Sequence, residues 1–224
     1  MSFTRDRCRR GRAPGKWLGA ALISGAVMAG PAAAHPHVFA DVGLALALDA
    51  GQQVVSVEVT WRYDEFFSLL ILEDMGLDAD GDGVLAPAEQ AALERFDLDN
   101  WYEGFEGDLY MYSEGAQLGL GAPEFVSVAL EDGRITSVHR RSVTPAPAEG
   151  LVIEPYDPTY YIAFEASLPV TLPAPCRAIR HRPDLDAAAR KLQAELARIP
   201  EDKFLEIEPG RDYADRIEVT CASS

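Results

Sequence analysis

The most specific chemistry in this sequence lies in one run of twelve residues, Asp78-Ala79-Asp80-Gly81-Asp82-Gly83-Val84-Leu85-Ala86-Pro87-Ala88-Glu89. Calcium is a hard cation that takes six to eight oxygens, and the pattern D-x-D-x-D-G-x5-E supplies them. Asp78, Asp80 and Asp82 fall at positions one, three and five. Gly83 at position six allows the sharp turn. Val84 offers its backbone carbonyl at position seven, and Glu89 at position twelve can give two oxygens. Ala86 at position nine contributes no oxygen, so water must fill that site, and no second loop of this kind occurs in the chain. Both departures weaken binding. The spacing therefore predicts a structural or conditional Ca2+ site and not a paired sensor.

A second candidate is the stretch His35-Pro36-His37-Val38-Phe39. If processing leaves His35 as the first residue, its free amine and imidazole together can chelate a transition metal. Imidazole suits Ni2+, Co2+, Zn2+ and Cu2+. His37, two residues on, is the candidate partner. Pro36 has no amide N–H, so the square-planar motif that needs deprotonated amides is blocked. His139 and His181 complete the histidine set, and His139 could add a remote ligand. Ordinary strand and loop histidines are the bland alternative.

Other catalytic patterns are missing from the sequence: Gly-x-Ser-x-Gly, a phosphate-cradling glycine loop and His-Glu-x-x-His. Adjacent acids such as Asp64-Glu65 and Glu73-Asp74 read as helix-surface charge, since so acidic a chain makes such pairs by composition. The aromatic group Trp101, Tyr102, Phe105, Tyr110 and Tyr112 reads as core, with a ligand shelf as the alternative. The expectation is a binding protein and not an enzyme.

The chain has 224 residues, enough for one sizeable domain, with 20 basic and 36 acidic residues and a formal charge of −16. Residues 1–34 read as a secretory signal peptide. Arg5, Arg7, Arg9, Arg10, Arg12 and Lys16 form the basic start, Trp17 to Gly30 the apolar run, and Pro31-Ala32-Ala33-Ala34 the cleavage region. The run is shorter than the roughly 20 residues that span a bilayer, so no membrane span is expected after cleavage. Removing it takes away six bases and one acid, leaving 14 against 35, a formal −21. Such a charge repels nucleic acid and suits cations. Cys8 leaves with the signal, and Cys176 and Cys221 form an even pair, expected as a disulfide in an oxidising, periplasmic or otherwise exported setting.

The elements that would position these residues are legible from periodicity. Val42, Leu44, Leu46 and Leu48 alternate, as do Val55, Val57, Val59 and Trp61, and the two runs flank a turn at Asp49–Gln53. From Asp64 the apolar residues become too dense for alternation and fit a buried helix over 64–75. Pro87 suits the first position of the next helix. Short strands are expected at 108–113, 124–131, 134–143 and 159–166, with Glu131-Asp132-Gly133-Arg134 as a hairpin turn. Residues 144–150 read as a loop, 186–199 as an amphipathic helix and 217–221 as a last strand. The whole describes an α+β fold over residues 35–224. Its antiparallel, sandwich-like β body carries an inserted EF-hand-like helix–loop–helix at about 64–99 and a further C-terminal helix.

The His-Pro-His-Val-Phe start, the segment Thr60-Trp61-Arg62-Tyr63-Asp64-Glu65-Phe66-Phe67-Ser68 and the aspartate-rich loop after it together resemble a bacterial exported family of unknown function. Its members are commonly labelled periplasmic components of ABC-type transport systems, and their genes often lie beside nickel/cobalt-type permeases. The resemblance implies transition-metal handling at the cell envelope with an inner-membrane metal permease as partner. Three readings follow. One is a calcium-stabilised accessory of metal transport. Another is a copper histidine-brace redox enzyme built on His35. The third is a calcium-stabilised interaction module without a transition metal.

Overall fold

The computed structural model describes residues 36–99, 101, 102 and 104–222. The expected signal peptide, Cys8 and His35 lie outside the described residues. Strand β1 (Val38–Leu48) and strand β2 (Gln53–Tyr63) form the expected hairpin, with Ala40 opposite Tyr63 and Leu46 opposite Val57. The Asp49 carboxylate closes its turn by accepting the N–H groups of Gly51 (2.8 Å) and Gln53 (2.9 Å). Helix α1 (Glu65–Met75) and helix α2 (Pro87–Leu93) follow, with Pro87 at the first helical turn as the missing N–H permits.

The remaining strands are β3 (Leu109–Ser113), β4 (Ala116–Gln117), β5 (Glu124–Glu131), β6 (Arg134–Pro147), β7 (Val152–Pro155), β8 (Ile162–Glu165), β9 (Val170–Thr171), β10 (Cys176–His181) and β11 (Arg216–Cys221). Helix α3 (Leu185–Leu196) and two 3₁₀ turns, Glu201–Glu206 and Gly210–Tyr213, separate β10 from β11. One sheet runs β5-β6-β2-β1-β8, with β9 also on β1, and the other runs β10-β11-β7-β3-β4. Both are antiparallel except where β8 and β9 join β1 in parallel. The Glu131–Arg134 hairpin has Asp132 and Gly133 both at positive φ, 51° and 73°, as a type I′ turn requires. Cys176 lies opposite Cys221 on β10 and β11, and the two form a disulfide.

One continuous core joins the two sheets. Val42, Val57, Val59 and Ile135 of the first and Met111, Ile153 and Ile217 of the second are fully buried. Leu72, Leu77 and Leu93 bring the helix–loop–helix into the same core.

Three expectations change. Residues 144–147 are strand, not loop: β6 continues to Pro147, opposite Gln53, past an irregularity between Val54 and Ser56. Pro145 is tolerated because it falls in that irregular stretch, between the Ser142–Ser56 and Ala146–Val54 pairs, where no ladder partner needs its N–H. Helix α1 is not a buried helix. Ser68 and Leu72 alone are buried, while Phe66 is 67% exposed and Leu69 51%. Of the aromatic group, Trp101 packs against the core, but Tyr102 is exposed and Phe105, Tyr110 and Tyr112 are half-buried.

His139 sits inside this core, with both ring nitrogens buried and without a hydrogen-bond partner among the described residues. The indole of Trp61 lies 4.6 Å from it edge-on and that of Trp101 5.6 Å. Burial, aided by the nearby Arg141 charge, pushes its pKa down to about 3. The folded protein thus holds His139 neutral, whereas the unfolded chain protonates it near its ordinary 6.5. The unfolded state then binds more protons between these values, so stability present above about pH 6.5 is lost as pH falls toward 3. Chemical denaturation from pH 7.5 to 4 is expected to show a loss on the order of 3 kcal/mol from this residue. His139→Phe, which keeps the ring and removes the titration, should flatten that part of the profile. An unchanged slope in the variant would show that other groups carry it.

Candidate functional site

The loop between α1 and α2 is held at both ends before any ion is considered. At its entrance Gly76 adopts φ 66°, and its N–H reaches the Leu72 and Glu73 carbonyls, closing α1. Leu77 N–H donates to the Leu72 carbonyl at 2.8 Å, and the Leu77 side chain is buried. At its exit Gln90 Nε2 donates to the Val128 carbonyl of β5 at 2.6 Å, and Leu93 is fully buried. Further on, the Asp97 carboxylate accepts from Tyr63 Oη at 3.2 Å and from Ser137 Oγ. Burial is the largest influence on Asp97 and raises its pKa, against the lowering effect of these donors. On the α1 side, the buried Ser68 Oγ accepts the Ile135 N–H at 2.9 Å.

Between these anchors the loop folds on itself. The Asp78 carbonyl accepts Gly81 N–H at 2.9 Å, and its carboxylate accepts Gly83 N–H at 3.1 Å and 3.3 Å. The Asp82 carboxylate accepts Val84 N–H at 2.8 Å. Gly83 at φ 74° has nothing near its missing Cβ, so its backbone angle and not space demands glycine. The loop brings together Asp78, Asp80 and Asp82, whose oxygens lie within 4.8 Å of one another. At that separation each pair of carboxylates repels by roughly 1 kcal/mol even at the dielectric constant of water. A cation among them removes that repulsion. Among the described residues this is the one group of three or more His, Cys, Asp or Glu whose ligand atoms converge so closely.

Glu89 stands outside that group. Its two oxygens accept the Asp78 N–H at 3.0 Å and the Ala86 N–H at 2.8 Å. The second bond is the glutamate half of a capping box, with Ala86 as the cap of α2. Glu89 therefore ties the first residue of the loop to the start of the second helix. Val84 is 69% exposed, and Leu85 packs against the chain's own core.

The three histidines among the described residues are dispersed. His37 is exposed at the start of β1, where its N–H donates to the Tyr161 carbonyl at 2.9 Å and its ring lies 4.9 Å from that of Tyr161. His139 is walled into the core, and His181 is exposed on β10, 3.5 Å from Glu218. Asp64, read from sequence as surface charge, is instead a double anchor. One oxygen caps α1 at Phe67 N–H (2.9 Å) and the other accepts Phe39 N–H (2.8 Å). Its signal was in the sequence: an aspartate three residues before Phe67, at the break from strand to helix periodicity.

Residues 20–221 match the model of a family described as Protein of unknown function (DUF1007), and the chain belongs to that family. No curated protein matches the chain. Among the described residues, no helix is long and apolar enough to cross a membrane.

Removing the Glu89 carboxylate should loosen the loop in the absence of any metal. In Glu89→Ala the Asp78 and Ala86 amides are expected to lose hydrogen-exchange protection, and stability should fall by about 1 kcal/mol, as for a lost helix cap. Unchanged exchange at both amides would contradict the tethering role.

Proposed function

We propose that this member of the DUF1007 family is an exported protein that binds one calcium ion at Asp78, Asp80, Asp82, the Val84 carbonyl and Glu89, with binding and not catalysis as its activity. The observation that carries the reading is the convergence of the three aspartate oxygens within 4.8 Å, on a loop whose two ends are fixed in the core. Glu89 already accepts the Asp78 and Ala86 amides, and an ion competes with them for its oxygens. That competition, with Ala86 supplying no side-chain ligand, sets the affinity low, in the range of about 10⁻⁴–10⁻³ M found for extracellular modules. Magnesium demands closer octahedral geometry and dehydrates reluctantly, so it should bind more weakly. The Cys176–Cys221 disulfide supports an oxidising compartment such as the periplasm.

Calorimetry should find one Ca2+ per chain in that range, with Mg2+ weaker. Glu89→Gln and Asp78→Asn should each weaken calcium about tenfold or more, a difference of roughly 1.4 kcal/mol. Calcium binding that survives Glu89→Gln unchanged would defeat the assignment.

A second element of the reading is transition-metal handling by His35 and His37, in step with an envelope metal permease. The exposed position of His37 at the very start of β1 supports it. The chelate requires His35 as the first residue after removal of residues 1–34. Intact-mass analysis of the exported protein should give that N-terminus, and Ni2+, Co2+, Zn2+ or Cu2+ binding should be lost in His35→Ala. Any other N-terminus eliminates the chelate.

A further inference from the structure

A second acidic site lies away from the calcium loop, at the start of β3. A cleft of about 350 Å³ opens between the 102–110 segment, the turn at 157–159 and Glu208. Asp108 lines it while being only 7% exposed, and no hydrogen bond or ion pair reaches its carboxylate among the described residues. With no protein donor among the described residues, any polar contact to that carboxylate has to come from the cleft side.

The surrounding chain is built to hold it there. Arg141, 2% exposed, donates to the Glu106 carbonyl at 2.5 Å and the Gly121 carbonyl at 2.8 Å. Gly107 at φ 67° presses against Trp101, where a Cβ would meet the ring at 2.2 Å. Asp108 itself sits at φ 51°, and its carbonyl accepts the Tyr156 N–H at 2.9 Å. The opposing Asp157 is saturated differently: its oxygens accept Thr159 N–H (2.8 Å), Thr159 Oγ1 (2.9 Å) and Ile162 N–H (3.0 Å). Tyr102, Phe105 and Tyr110 complete the lining. Tyr110 stacks on Tyr156 at 4.2 Å, and Phe105 stacks on Tyr102 at 5.1 Å.

We propose that this cleft binds an organic cation bearing N–H donors, an ammonium or guanidinium group, with Asp108 as the anchoring carboxylate. Buried carboxylate next to aromatic faces is the chemistry that recognises such cations. A hard metal ion is the competing occupant, since Glu106 and Glu208 also line the cleft; the engaged Asp157 oxygens and the aromatic lining favour an organic cation over it. The inference is independent of the calcium reading, since it shares no residue with the loop.

Binding is coupled to a proton. Burial, then the charge of Asp157, pushes the Asp108 pKa up to about 8, so the empty cleft holds Asp108 protonated at neutral pH. The groups facing it are Glu106 from its own segment, Tyr110 on β3, Asp157 from the turn, Glu208 and, from β2, Tyr63, and none of these is a cation. An entering ammonium or guanidinium supplies the missing charge and donors. Asp108 then ionises, its proton leaves to solvent, and the carboxylate accepts N–H bonds from the ligand.

The test is calorimetry on the full chain at pH 7 with methylguanidinium, n-butylammonium, tetramethylammonium and CaCl2 as separate probes. Each titration is run in cacodylate and in MOPS, whose ionisation enthalpies differ and which contain no primary ammonium. Methylguanidinium or n-butylammonium is expected to bind with a Kd in the millimolar range or tighter and to release close to one proton. Tetramethylammonium, which has no N–H, should bind about tenfold more weakly. Asp108→Asn keeps the shape, and asparagine tolerates positive φ. It should lose about tenfold in affinity together with the proton release, while Glu89→Gln leaves both unchanged. Tyr110→Leu, removing one aromatic wall, should weaken binding several-fold. The proposal is overturned if neither donor-bearing cation binds, if binding occurs without proton release, if Asp108→Asn binds as well as the parent, or if Ca2+ competes for the cleft.

Discussion

One carboxylate sets the relation between the β body and everything inserted into it. Asp64 accepts the Phe67 N–H and so starts α1, and it accepts the Phe39 N–H and so binds the beginning of β1 to the end of β2. The Phe39 carbonyl returns the contact to the Asp64 N–H at 2.9 Å. Both oxygens are used, and the direction in which α1 leaves the sheet is thereby determined. From that departure the Ser68 hydroxyl meets β6, Leu72 and Leu77 enter the core, and the aspartate loop begins at a fixed place. The same carboxylate steadies β1 two residues after His37, so the N-terminal strand and the loop share an anchor.

The chain is strongly acidic, and its folded form treats its carboxylates in three ways. Some are buried and paired. Asp215, 2% exposed, meets Arg180 at 2.7 Å and the Ala166 N–H at 2.7 Å, and Glu154 holds both Arg211 and Arg216. Such pairs order the second sheet and its connections; they do not by themselves add much stability, since desolvation offsets attraction. Others are crowded at the surface, as in the loop at 78–82, where repulsion can be relieved by a cation from outside. Asp108 has no partner among the described residues and little exposure, and burial keeps it neutral until a cation enters the cleft. His139 is its basic counterpart in the core, kept neutral by the same desolvation with Arg141 nearby.

Helix α1 illustrates the limit of pattern reading. Phe66, Leu69, Leu70, Ile71, Leu72 and Met75 are dense enough to suggest burial on every side. The helix nevertheless presents one side to the core: Ser68 and Leu72 are buried, Phe67 and Ile71 pack half-buried against it, and Phe66, Leu69, Leu70 and Met75 are exposed. Apolar density predicts that a helix forms. Which of its sides is covered depends on what other segments arrive there.

Local order was determined by the sequence itself. The alternation of β1 and β2, the Asp-Gly turn before β6, Pro87 at the head of α2 and the spacing from Asp78 to Glu89 all act within a few residues. Short-range sterics and hydrogen bonding decide them without help from the rest of the chain. Only the tertiary structure decided the contacts between distant segments. These are the extension of β6 through Pro145 and Pro147, the burial of His139 between Trp61 and Trp101, and the meeting of Asp108 with Asp157. Each depends on two segments far apart in the chain meeting in a shared core or on one wall. Burial and partner charges, not residue type or spacing, then set what those groups can do.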